Sequence, residues 1–101
     1  MNTSMKKMAK WQKITIKALY EFELKEPSQY YNIGEICKCI VETFGVTVSR
    51  SAVIIYSLDR LIESDCVEFR SPMFSDIQYR ISAVGVKLVE DHLLDDGHEA
   101  D

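Results

Sequence analysis

The sequence predicts an α+β fold of three helices, a two-stranded β-hairpin and a closing helix. Apolar residues recur at helical spacing over three segments before residue 65. The period then switches to two between Cys66 and Ile81, the mark of paired strands. Pro27, Asn32, Gly45, Ser49 and Ser82 fall where those segments begin or end. A chain of 101 residues makes one domain, expected over 10–94. Residues 1–9 and the acidic tail 95–101 are expected to be flexible ends.

The first helix is expected from Lys10 to Leu24. Trp11, Ile14, Thr15, Ala18, Leu19 and Phe22 form one stripe, with Lys13 and Lys17 on the other side. Pro27 stops it, because proline disfavours the helical conformation of the residue before it. Gln29 to Asn32 reads as a short extended piece with Tyr30 and Tyr31 packing. Asn32 caps a second helix with Glu35 as its reciprocal partner. Ile36, Ile40, Val41 and Phe44 give that helix its apolar face, and Gly45 ends it.

After a turn at 46–48, Ser49 is expected to cap a third helix lasting to Ser64. Ile54, Ile55, Leu58, Leu61 and Ile62 share its core face. Ser49, Val53, Tyr56 and Arg60 share the opposite face, with Ala52 and Ser57 beside them and Arg50 at the margin. Asp59 and Glu63 hold one flank. In the hairpin, Val67 and Phe69 alternate with Glu68 and Arg70, and Ile77, Tyr79 and Ile81 with Gln78 and Arg80. Ser82 caps the last helix, to about Leu94. Val84, Leu88 and His92 form a stripe there, with Val86, Val89 and Leu93 beside it. Gly85 in its first turn permits close approach to a neighbouring backbone.

Composition narrows the function. A hydrophobic share of 47% with 28% charge is that of a soluble domain. The longest apolar run, Ala52 to Tyr56, is too short to span a membrane. The lysines near the start lack the apolar run of a secretory signal, so a cytoplasmic location is expected. Cys37 and Cys39 point about 200° apart on a helix and cannot pinch one metal from one face. With Cys66 they make an odd count, which argues against a disulfide framework. These cysteines read as small buried or half-buried residues. The net charge of −4 is uneven: the six acids from Glu90 onward face no Lys or Arg, leaving residues 1–89 at about +2. No phosphate loop, nucleophile set or paired carboxylates stand out, so the chain is expected to be no enzyme and to need no cofactor.

Helix, helix, helix, strand, strand, helix is the order of a winged helix-turn-helix. SRSAVIIYSLDRLIESDCVEF resembles the recognition helix and first wing strand of the PadR and MarR groups of small bacterial regulators. Leu58 and Leu61 stand where those families keep core leucines. IQYRISAVGVKLVEDHL resembles their second wing strand and closing helix, with its Ser-x-x-Gly start. The resemblance implies a transcriptional regulator that binds double-stranded DNA, typically as a homodimer. There are departures. Ser64-Asp65 replaces the usual glycine turn, the wing loop SPMFSD has no basic residue, and Arg50 and Arg60 are offset by Asp59 and Glu63.

On this reading Ser49, Arg50, Ser51, Val53, Tyr56 and Arg60 read the major groove. Arg70 and Arg80, on outward strand positions, touch flanking phosphates or else act as surface charges paired with Glu68. Lys6, Lys7, Lys10, Lys13 and Lys17 form either a basic arm or a solubilising end. Trp11, Ile14, Leu19, Leu88, Val89 and Leu93 are the expected dimer contact. Met73 and Phe74 at the wing tip are either a protein contact or, slightly preferred, folded back on the domain. The alternative to DNA binding is a winged-helix protein-interaction module.

Overall fold

Pairing of the Tyr31–Asn32 segment with the hairpin turns the expected two strands into three. In the computed structural model, which describes residues 8–73 and 76–94, the elements run α1 (Lys10–Lys25), β1 (Tyr31–Asn32), α2 (Ile33–Phe44), α3 (Ser51–Glu63), β2 (Val67–Arg70), β3 (Gln78–Ile81) and α4 (Ala83–Leu88). A π-helical turn, Val89–Leu93, continues α4. The sheet is antiparallel with order β1–β3–β2. Tyr31 faces Tyr79 across one ladder, and Phe69 faces Tyr79 across the other. Among the described residues the fold is therefore α+β, four helices on a three-stranded sheet. Among the described residues, no helix is long and apolar enough to cross a membrane.

Helix α1 packs against α2, α3, β3 and the final turn. That central position explains why its buried side is wider than one stripe. Ile16 and Tyr20 are buried along with the expected Thr15, Ala18 and Leu19, whereas Trp11, Ile14 and Phe22 are only half-buried. The Thr15 hydroxyl is buried without a hydrogen-bond partner among the described residues. Phe22 stacks on Tyr31, ring centroids 3.9 Å apart. Met8, expected in a flexible end, packs against the core; the other residues of the two ends, apart from Ala9, lie outside the described residues.

The expected capping box at Asn32 is present in both directions: Glu35 N–H donates to Asn32 Oδ1 at 2.8 Å, and Asn32 N–H donates to Glu35 Oε1 at 2.9 Å. Gly45 takes φ 65° at the end of α2. Val41 is 45% exposed, so the core face of α2 rests on Ile36 and Ile40. Ile54, Leu58 and Leu61 are the fully buried anchors of α3. Asp65 closes α3 in the left-handed conformation, φ 65°. Its N–H donates to Ile62 O at 3.0 Å and Cys66 N–H to Leu61 O at 2.9 Å, a Schellman motif with aspartate in the place usual for glycine. Cys66 is buried, and Cys37 and Cys39 are half-buried. Burial pushes the Cys37 thiol above its ordinary range.

Ser82 ties the hairpin to both neighbouring helices. Its hydroxyl donates to Asp65 O at 2.6 Å and accepts from Gly85 N–H at 3.0 Å. Its own N–H donates to Cys66 O at 2.9 Å. Gly85 lies against that same Cys66 carbonyl, the close approach the sequence predicts. Beyond Leu88, the π-helical turn carries Val89 and Leu93 into the core and leaves His92 exposed, and Val84 in α4 is exposed as well.

Three tyrosines link this packing to pH. Burial pushes Tyr20, Tyr31 and Tyr79 above the ordinary value of 10.0. Tyr20 also donates to Glu90 Oε2 at 3.0 Å, which favours its protonated form. The folded state thus keeps these protons longer than the unfolded chain does. The associated stability is full below about pH 10 and is lost as pH climbs through the higher folded values. Urea unfolding from pH 9 to 11 should show that decline, with Tyr20→Phe giving a shallower one. A flat profile would contradict it.

Candidate nucleic-acid interface

The N-terminal half of α3 is largely exposed. Ser49, Arg50, Ser51 and Ala52 are exposed, Val53 is 39% exposed and Tyr56 is 62% exposed. The expected cap is displaced by one residue. Arg50 is the N-cap, in extended conformation, and no side chain caps the helix. Serine at 49 is too early in the chain to reach the first-turn amides, and an arginine side chain has no acceptor to offer them. Val53 N–H donates to Arg50 O at 3.2 Å, so the first turn of α3 leaves the Ser51 and Ala52 amides to an outside acceptor, and an anion meets the positive end of the helix there.

Five of the six predicted groove residues, Ser49, Arg50, Ser51, Val53 and Tyr56, are exposed from just before the start of α3 to its second turn; Val53 and Tyr56 share one side of the helix, and Ser51 lies about 160° round from Val53. Arg60 lies one turn further on, drawn toward Glu63 (3.8 Å) and over the Tyr56 ring (6.0 Å to its centroid). Both partners of that pair are largely exposed, so it holds the arginine weakly. Ser57, expected beside this surface, is buried instead, its hydroxyl donating to Val53 O at 3.0 Å. Ile55 makes the reverse correction: expected in the core, it is 38% exposed.

The two strand arginines belong to another surface. Glu68, Arg70, Gln78 and Arg80 share the sheet face opposite Phe69 and Tyr79. Arg80 was expected outward. Its side chain is only 23% exposed, with Nη2 2.8 Å from Glu23 and Nη1 3.5 Å from Glu68. Burial opposes its charge, but the hydrogen bond to Glu23 and the charges of Glu23 and Glu68 more than offset this and hold the guanidinium above its ordinary value. Arg80 therefore serves the fold. Arg70 remains exposed, its Nε donating to Gln78 Oε1 at 2.7 Å and its guanidinium over the Tyr30 ring at 4.4 Å.

The expected dimer contact is largely consumed by the protomer itself. Leu19, Val89 and Leu93 are buried, and Trp11, Ile14 and Leu88 pack against the same core. At the hairpin tip Met73 is 79% exposed and does not fold back; Phe74 lies outside the described residues.

The sequence reading did not single out a groove of about 310 Å³ between α3 and the hairpin, lined by Asp59, Ile62, Glu63, Phe69, Ile77 and Tyr79. Phe69 and Ile77, expected to point inward, are 54% and 44% exposed along it, and β3 begins only after Ile77. The signal for it lies at the boundary of two patterns: Ile62 ends the helical stripe, and Phe69 and Ile77 are the apolar positions of the alternating hairpin pattern nearest the loop. Its acidic side repels phosphate. Set against known proteins, the chain matches no protein family, no curated protein and no solved structure.

Proposed function

We propose that this chain is a small winged-helix DNA-binding protein acting as a transcriptional regulator, with the N-terminal half of α3 entering the major groove of double-stranded DNA. The observation that carries this reading is the surface running from Ser49 to Tyr56. It combines an arginine with no ion pair among the described residues, exposed serines, and an exposed valine and tyrosine at an uncapped helix start. Arginine and serine suit base edges and phosphates, and apolar groups suit thymine methyls. The uncapped amides suit a backbone phosphate. Asp59 and Glu63 confine docking to this end of the helix, and Arg80 drops out of the contact set.

Fluorescence anisotropy on duplex fragments tests this. Binding should weaken steeply as salt rises. Arg50→Ala should lower affinity roughly tenfold, and Arg60→Ala less, because Glu63 already offsets its charge. If the double variant binds as tightly as the parent, the α3 surface is not the contact. The groove between α3 and the hairpin, together with exposed Met73, favours a second reading as a protein-interaction module. Absence of duplex binding at low salt would select that reading.

A further inference from the structure

Both outer strands of the sheet pair with β3 alone; β1 has two residues and the Asn32 N–H is taken by Glu35 Oε1, so β2 is the longer free edge. Strand β2 pairs with β3 alone, and among the described residues no backbone group pairs with its outer side. The direction of its backbone groups follows from the corner. Ser82 N–H donates to Cys66 O, so Cys66 faces β3. Backbone groups alternate along an antiparallel strand. Glu68 and Arg70 therefore also turn theirs toward β3, and Phe69 and Ser71 turn theirs outward into solvent; Val67 alternates the same way but is 3% exposed, so its outer side is covered.

Charges on an edge strand ordinarily discourage pairing with another copy. Here Glu68 and Arg70 have opposite sign and stand symmetrically about Phe69. A second copy approaching antiparallel, with the two-fold axis at Phe69, meets this edge in register. Phe69 lies opposite Phe69. The two Phe69 residues exchange about two backbone hydrogen bonds across the contact. Glu68 then lies opposite Arg70 of the second copy, twice, at non-hydrogen-bonded positions where side chains come closest. A two-fold centred on Glu68 or Arg70 would set like charges opposite each other, so charge selects one register. The exposed Phe69 ring, with half-buried Ile62 and exposed Ile77 beside it, gains cover from its own counterpart.

We propose that β2 is the dimerisation edge of this protein: two copies join antiparallel about Phe69 into a six-stranded sheet, with Glu68 of each opposite Arg70 of the other. This contact is isologous and closes on itself. It does not rest on the DNA reading.

Sedimentation of the full chain from micromolar to millimolar concentration tests it, with circular dichroism confirming each variant folded. The parent should pass from monomer to dimer. Arg70→Glu alone and Glu68→Lys alone each set like charges opposite each other, and each should weaken dimerisation roughly tenfold or more. Mixed one to one, the two variants pair Glu with Arg and Glu with Lys, and dimerisation should return. Phe69→Pro removes an N–H that the monomer leaves unused, and should give a folded monomer throughout. A parent that stays monomeric, an unrestored mixture, or dimerisation unchanged by Phe69→Pro would each overturn the proposal. Pairing of this edge with a strand of another protein alone corresponds to the first of these.

Discussion

Replacing Gly85 with alanine should cost about 3 kcal/mol of folding stability, near the upper end for an overpacked interior site. The added Cβ would overlap the Cys66 carbonyl oxygen and lie 2.7 Å from Ile81 Cγ1. Neither neighbour is free to retreat. The Cys66 carbonyl accepts the Ser82 N–H, and the Cys66 N–H closes the Schellman turn of α3. Ile81 is 1% exposed in the core. Relief must come from moving α4 off the corner, which would strain the Ser82 hydroxyl between Asp65 O and Gly85 N–H. In a domain of this size, such a loss lowers the melting temperature by roughly 12–20 °C. Gly34→Ala is the control, because its Cβ would sit an ordinary 3.4 Å from Asn32 Oδ1. Thermal unfolding of the two variants should separate them widely. Equal melting of Gly85→Ala and the parent would mean that α4 sits further from the hairpin than described.

This corner was legible in the sequence because local chemistry sets it. Ser82 three residues before Gly85 announces both a cap and a close contact, and Asn32 with Glu35 announces the capping box. Gly45 was equally clear, since a left-handed residue after a helix leaves few choices. What stayed hidden depended on partners distant in sequence. Nothing near Ile16 or Tyr20 shows that α1 is covered on more than one side; Tyr20 meets Glu90, 70 residues away. Nothing near Tyr31 tells it to join β3. Alternation placed Phe69 and Ile77 inward, but the hairpin outruns the core at that end, so their inward side opens on a groove. The exposed surface of α3 was readable from helical periodicity, because Val53 and Tyr56 fall opposite Ile54, Leu58 and Leu61. The fate of Arg80 was not, because its main partner sits on a different element.

That partner defines the second large effect. Glu23→Ala should cost about 2 kcal/mol, below the range for breaking a fully buried pair because the site keeps some solvent and Glu68 remains. Glu23 and Arg80 are 19% and 23% exposed at their side chains, and Nη2 lies 2.8 Å from Oε2. The same carboxylate oxygen accepts the Ser28 N–H at 3.2 Å, at the left-handed turn that ends α1. Its removal therefore leaves a partly buried guanidinium with one distant partner, Glu68 at 3.5 Å, and loosens the turn as well. Arg80→Met removes the stranded charge, so Glu23→Ala should cost less in that background, by about 1 kcal/mol. Urea unfolding of the four chains measures this coupling. The same proteins separate the structural arginine from the proposed groove-reading one. Arg80→Met should leave duplex affinity within a factor of about two while lowering stability, and Arg50→Ala should do the reverse. If Arg80→Met weakened duplex binding as much as Arg50→Ala while Glu23→Ala cost nothing, the sheet face would be part of the DNA contact. Docking would then have to wrap from α3 around the hairpin.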